Sequence, residues 1–188
     1  MAYTAILDAC VLYSAPVTDL LLRIALTDLY RAKWTADIHR EWMTNLAKNR
    51  PDLPWPRIER RRDHMDRFVR DSLISGYERI VPTLVLPDPD DRHVLAAAIV
   101  GRADVIVTFN LADFPAVSLE PYGIEVQHPD ECLQHLFDLD AERICTVVHG
   151  LRIALAKPVM SAHEYIASLT RHGLPQVAAQ LMGRFGEL

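Results

Sequence analysis

The stretch Tyr3-Thr-Ala-Ile-Leu-Asp8 is apolar almost without interruption and then ends on a carboxylate. A strand with one wet face alternates apolar and polar side chains, whereas a strand buried on both faces, as in a parallel sheet, does not. The run therefore predicts a short buried strand over 3–8, with Asp8 at its C-terminal end. Val105-Ile-Val-Thr-Phe109 repeats the pattern inside the best strand of the chain, predicted over 103–109. Between these two strands the apolar period changes to that of helices. Residues 20, 21, 22, 24, 26, 29 and 30 predict a helix from Thr18 to Tyr30, followed by a short strand Ala32-Lys-Trp-Thr35. Ile38, Trp42 and Leu46 recur every four residues and predict a helix over 37–46. Pro51, Pro54 and Pro56 break the chain and launch a helix from Pro56 to about Ser72.

Glu78 to Leu86 reads as irregular to strand-like, ending in the turn Pro87-Asp-Pro-Asp90. Asp91 to Gly101 reads as a helix, Ile124-Glu-Val126 as a last short strand, and Pro129 as the start of another helix. Alternating strands and helices predict an α/β sandwich with a mostly parallel central sheet flanked by helices. From about residue 138 only helical patterns remain, near 138–156, 161–171 and 176–184, the last two joined by the turn His172-Gly-Leu-Pro175. The expected organisation is an α/β domain over 1–137 and a helical extension over 138–188.

Half of the 188 residues are hydrophobic, enough for a real core. No apolar run is long enough to span a bilayer, and the N-terminus lacks the basic region of a signal peptide. Cys10, Cys132 and Cys145 are odd in number and far apart, which fits neither a disulfide framework nor a zinc pattern. A reduced, cytoplasmic protein is the expectation. The net charge of −5 argues against a general nucleic-acid coat but is silent about a local basic surface beside a metal. No phosphate-binding or dinucleotide glycine loop is present.

Four carboxylates stand where segments enter or leave the predicted sheet: Asp8, Glu41, Asp91 and Asp113. Ligands of α/β proteins sit at the C-terminal ends of parallel strands, where Asp8 is placed. On a helix, Asp91 shares the sheet-facing side with Val94, Leu95 and Ala98. Each acid also has a plainer reading. Asp8 suits a cap for the helix beginning at Cys10, and Asp90 or Asp91 suits a cap for the next helix. Glu41 suits a solvated stripe border, and Asp113 a turn. Taken together they make a hard-cation site, because clustered carboxylates repel unless a cation such as Mg2+ or Mn2+ neutralises them.

Asp8-Ala-Cys-Val-Leu12, Glu41, Asp88-Pro-Asp-Asp-Arg-His-Val-Leu-Ala96 and Val105-Ile-Val-Thr-Phe-Asn-Leu-Ala-Asp-Phe-Pro115 come in the order and spacing of the PIN domain. The resemblance covers roughly residues 3–137, including Tyr122-Gly-Ile-Glu-Val126 and Pro129-Asp-Glu-Cys-Leu133. It implies a PIN-like three-layer sandwich whose acids bind Mg2+ or Mn2+ and cut single-stranded RNA. Many bacterial members resemble VapC toxins, held inactive by a protein antitoxin. By position, Asp8, Glu41 and Asp91 match the three central metal-binding acids. Where the family frequently places a fourth Asp this chain has Asn110, and Asp113 comes three residues later. By the resemblance, either Asn110 binds a metal-held water through its carbonyl oxygen or Asp113 swings in from the loop, and Thr108 is an accessory that orients a neighbouring acid by a hydroxyl bond. The departure at Asn110 keeps two alternatives open: a non-catalytic PIN-like RNA- or protein-binding module, and a nuclease that processes RNA without being a toxin.

Arg57-Ile-Glu-Arg-Arg-Arg-Asp-His-Met-Asp-Arg-Phe-Val-Arg70 carries an apolar arc with most arginines outside it. Interleaved acids make this either an exposed, self-paired helix or a phosphate-tracking surface. His93 lies near the acids but reads first as a helix-surface residue, and Cys10 as a small packed hydrophobe. The extension's apolar stripes suit a packed helical hairpin, or a surface for an antitoxin or for a second copy in a homodimer.

Overall fold

The computed structural model describes residues 3–155, 159–184 and 186. Five parallel strands form one sheet: β1 (Tyr3–Leu7), β2 (Tyr30–Thr35), β3 (Leu73–Ile74), β4 (Val105–Val107) and β5 (Glu125–Gln127), in the order β3-β2-β1-β4-β5. All four pairings are parallel. Consecutive side chains of a strand point to opposite faces, yet Ala5, Ile6 and Leu7 are all buried. Both faces of the sheet are therefore covered, giving the helix–sheet–helix sandwich expected from the unbroken apolar run.

The chain builds outward from β1 through β2 to β3, then returns to lay β4 on the other side of β1. Their register pairs Ala5 with Val105 and Leu7 with Val107. This reversal opens a crevice between the C-terminal ends of β1 and β4, the place where open α/β sheets bind ligands.

The helices are α1 (Ala9–Tyr13), α2 (Ala15–Ala25), α3 (Ala36–Asn49), α4 (Trp55–Phe68), α5 (Arg92–Val100), α6 (Ala116–Leu119), α7 (Pro129–Leu139), α8 (Ala141–Ala154), α9 (Ala162–Arg171) and α10 (Pro175–Gly183). α5 packs on β1 and β4 with Val94 to Ala98 wholly buried, and α3 packs on α1. α10 packs on both α7 and α9, while α8 packs on α2. No helix among the described residues is long and apolar enough to cross a membrane.

Several boundaries differ from the sequence reading. The helix expected over 18–30 ends at Ala25, and Tyr30 opens β2 instead. An apolar residue at 30 continues the helical stripe, but it fits equally the alternation of buried Tyr30, exposed Arg31 and buried Ala32. Asp28, at φ 61°, turns the chain between them. The helix expected to reach Ser72 stops at Phe68, because Val69 is extended and Trp34 N–H bonds to Ser72 C=O beside β3. No strand forms over 78–86; Pro82 falls in a 3-10 turn, Val81–Thr83. The segment expected over 138–156 begins instead at Ala141, after Asp140 ends α7 and accepts from Arg143 N–H at 2.9 Å. Its expected end at residue 156 lies outside the described residues.

Candidate active site

Asp8 leaves β1 and caps α1, so it occupies the crevice of the sheet by construction. Its Oδ1 accepts from Ala9 N–H at 2.6 Å, while Oδ2 accepts from the Thr108 hydroxyl at 2.7 Å and the Cys10 thiol at 3.1 Å. The cap role and a site role are thus shared between two oxygens of one carboxylate. Thr108, fully buried just past β4, also accepts from Asn110 N–H at 3.0 Å. The end of β4 is thereby tied to the end of β1 through this hydroxyl, beside the backbone bond from Asp8 N–H to Val107 C=O. Burial pushes the Asp8 carboxyl above the usual range, with a small push from Glu41; the three hydrogen bonds oppose this without cancelling it.

Asp91 ends a 3-10 turn, Pro89–Asp91, immediately before α5. Asp88 caps this 3-10 turn, accepting from Asp90 N–H at 2.8 Å, while α5 itself receives no side-chain cap bond. Asp91 occupies the N-cap position of α5, but its carboxylate makes no capping bond there and is partly buried. Its carboxyl is pushed up to about 7, first by burial and then by the charges of Asp8, Asp113, Asp88 and Glu41. Those causes are a map of the neighbourhood: four carboxylates from four segments act on the same group.

Glu41, on α3, is 44 % exposed and pairs with His93 Nε2 at 3.5 Å. Asp113 ends the 3-10 turn Leu111–Asp113 beyond β4 and reaches Asp91 through its field. Asn110 is exposed, and its backbone rather than its side chain meets the network. The sequence reading missed Cys10 as a donor to Asp8; its position two residues after the carboxylate, in the first turn of α1, was the available signal. His93 also belongs to this neighbourhood through Glu41 and not to the helix surface alone.

The arginine-rich helix divides between the two expected roles. Arg61 donates to Leu12 C=O at 2.7 Å and Tyr13 C=O at 3.4 Å, and its guanidinium lies 4.7 Å from the Trp42 ring centre. Asp66 accepts from Trp34 Nε1 at 2.7 Å and lies 2.9 Å from His39 Nε2. These two residues hold α4 to the domain. Arg62 pairs with its neighbour Asp63, while Arg57, Arg60 and Arg67 line an open cleft with His64.

A family model described as "PIN domain" matches residues 4–112, over half of the chain. The chain belongs to the PIN-domain family. A second model, "VapC50 C-terminal domain", matches residues 129–183, downstream of the PIN domain. A curated relative, "Putative ribonuclease VapC50" of Mycobacterium tuberculosis, is 43 % identical over 90 residues, which are 48 % of this chain and 53 % of the relative. The match spans about half the length of that protein. No solved structure matches at the significance required.

Within the PIN domain, the donor set of the crevice is all oxygen, which suits a hard divalent cation. Burial first and the charges of the neighbouring carboxylates second raise Asp91, and a cation would offset both. Among the described residues no three His, Cys, Asp or Glu side chains converge to coordinating range as they stand. A cation of the Mg2+ type keeps several waters and needs only one or two direct carboxylates, so the residues present fit such an ion held partly through water.

Proposed function

We propose that this PIN domain is a Mg2+- or Mn2+-dependent endoribonuclease and the toxin of a type II toxin–antitoxin pair. The observation that carries the proposal is the crowding of Asp91 by Asp8, Asp113, Asp88 and Glu41 at the crevice between β1 and β4. The family match and the name of the relative, a ribonuclease, support RNA as the substrate; the protein antitoxin is what the resemblance to VapC toxins implies. Asp8, Glu41 and Asp91 would hold the ion, with Asp113 or Asn110 completing its sphere through water. Bound there, the ion would offset phosphate charge and lower the pKa of a water into the range of a nucleophile.

The protein's own residues prepare that chemistry. Thr108 and Cys10 fix the rotamer of Asp8 by bonding one oxygen, while Ala9 N–H holds the other. Asp91, pushed up to about 7, would hold a cation in its deprotonated form. His93 steadies Glu41, the most exposed acid of the set. We place this work in residues 1–137 and read 138–188 as an extension, in a cytoplasmic protein.

Asp8→Asn should abolish cleavage of single-stranded RNA while leaving the circular dichroism spectrum unchanged, and chelator should do the same to the wild type. Cleavage that survives both would sink the proposal. Growth arrest on expression of the chain alone, relieved by an adjacent gene product, would support the toxin role. Growth without arrest, alongside cleavage in vitro, would favour an RNA-processing nuclease. Asn110 favours a second reading, a binding module without catalysis, whose titration with Mn2+ would show little or no heat.

A further inference from the structure

We propose that the helical extension positions the carboxylate site: the turn His172-Gly-Leu174 holds Phe109, and Phe109 through Cys10 holds Asp8. The inference rests on the nuclease reading for its consequence but not for its geometry.

The turn is anchored to α7, which follows β5 directly, by one buried acid. Asp130, on α7, is 2 % exposed, and its two oxygens accept from Gln176 N–H at 2.9 Å and Val177 N–H at 3.0 Å. Both donors belong to the first turn of α10, so α10 cannot shift without breaking a charge-assisted pair of bonds. Leu174, just before it, is fully buried.

Directly upstream, Gly173 adopts φ +83°, and a Cβ built on it would stand 3.0 Å from Cε1 of Phe109. The backbone of the turn thus lies close against the Phe109 ring, where a Cβ would make a tight contact that the ring must give way to. Edge-on to the same ring, His128 packs with centroids 5.0 Å apart at 80°. The ring is held from the extension and from the end of β5.

What this grip controls is a backbone group. Thr108 N–H makes the last bond from the end of β4, to Gln127 C=O. Phe109 N–H, one residue on, donates instead to Cys10 Sγ at 3.3 Å, and Cys10 donates to Asp8 Oδ2 at 3.1 Å. The Phe109 amide is therefore one of the partners that hold the thiol, together with Thr108 Oγ1 at 3.3 Å, and that thiol shares Asp8 Oδ2 with Thr108. Partners that orient ligating carboxylates typically change metal affinity or activity by about 10–100-fold when lost.

The test uses the full chain and Gly173→Ala, whose methyl presses on the Phe109 ring and whose backbone is strained at that φ. In the metal-free protein, NMR should show shifts in the Phe109 amide and the Asp8 carboxyl carbon. Mn2+ affinity by calorimetry should fall about tenfold. In a Cys10→Ala background the same Gly173→Ala change should have little further effect on Mn2+ affinity, because the link it acts through is gone. Should Gly173→Ala fail to fold, Phe109→Leu loosens the same grip from the other side and should give the same shifts. Unmoved Asp8 and Phe109 resonances, or an undiminished effect without Cys10, would overturn the proposal. Wild-type protein that binds no Mn2+ while the resonances do move would refute the nuclease reading and leave the clamp standing.

Discussion

Replacing Asp91 by Asn should make the metal-free protein more stable at alkaline pH while destroying its activity. The unfolded chain loses the Asp91 proton near 3.8, but in the folded protein burial and four neighbouring acids hold it to about 7. Because the folded pKa lies above the unfolded one, the folded state binds more protons across that window. Its stability is therefore fully present below about 3.8 and is lost as pH rises through about 7. Full conversion of the shift would give a penalty of about 4 kcal/mol above that window. Asp91 is half-exposed, so solvent screening leaves about 1–2 kcal/mol as the realistic figure. The amide of the Asp91→Asn variant carries no charge and so escapes that penalty. For a chain of this size the gain corresponds to a Tm about 2–8 °C higher at pH 8. The assay is thermal unfolding in chelator at pH 4 and pH 8 for both proteins. The curves should nearly coincide at pH 4 and separate at pH 8, with the variant higher. Equal Tm at pH 8 would refute the claim that the bare acids crowd Asp91. Adding Mn2+ at pH 8 should raise the wild type and leave the variant nearly unchanged.

Thr108→Val removes the hydroxyl that bridges Asp8 and Asn110 N–H in a buried site, so urea unfolding should report a loss of about 1.5–3 kcal/mol. A loss below about 0.5 kcal/mol would mean that Asp8 does not lean on Thr108. Arg61→Ala should cost about 2–4 kcal/mol, since it strips the end of α1 of its donor and Trp42 of its cation; Arg60→Ala should stay within about 0.5 kcal/mol. If Arg60 and Arg67 contact RNA phosphates, their alanine variants should instead flatten the salt dependence of RNA binding measured by anisotropy. Burial raises the Asp66 carboxyl, but bonds from His39 and Trp34 outweigh it and hold the group below its usual range. That stability is present above 3.8 and lost as pH falls through the lowered value, so wild type should lose more stability than Asp66→Asn between pH 7 and about pH 3.

Hydrophobic period and strand-end position made the sheet and its site legible in the chain itself. Tyr3–Leu7 and Val105–Val107 read as buried strands because a parallel strand covered on both faces has no reason to alternate. Asp8 and Asp91 stood out for the same reason, as charges at the margin of a core. Tyr30 and Leu73–Ile74 were not legible, since one apolar residue fits two periods and two residues fit any. The tertiary structure alone gave Asp88 the cap of the 3-10 turn, left Asp91 at the start of α5 without a capping bond, and turned Cys10 from a packing residue into a donor on Asp8. It alone set Gly173 against Phe109, across more than sixty residues of chain. Sequence determines which groups dislike solvent and which dislike burial. Which of them meet depends on long-range closure of the fold, which no local period encodes.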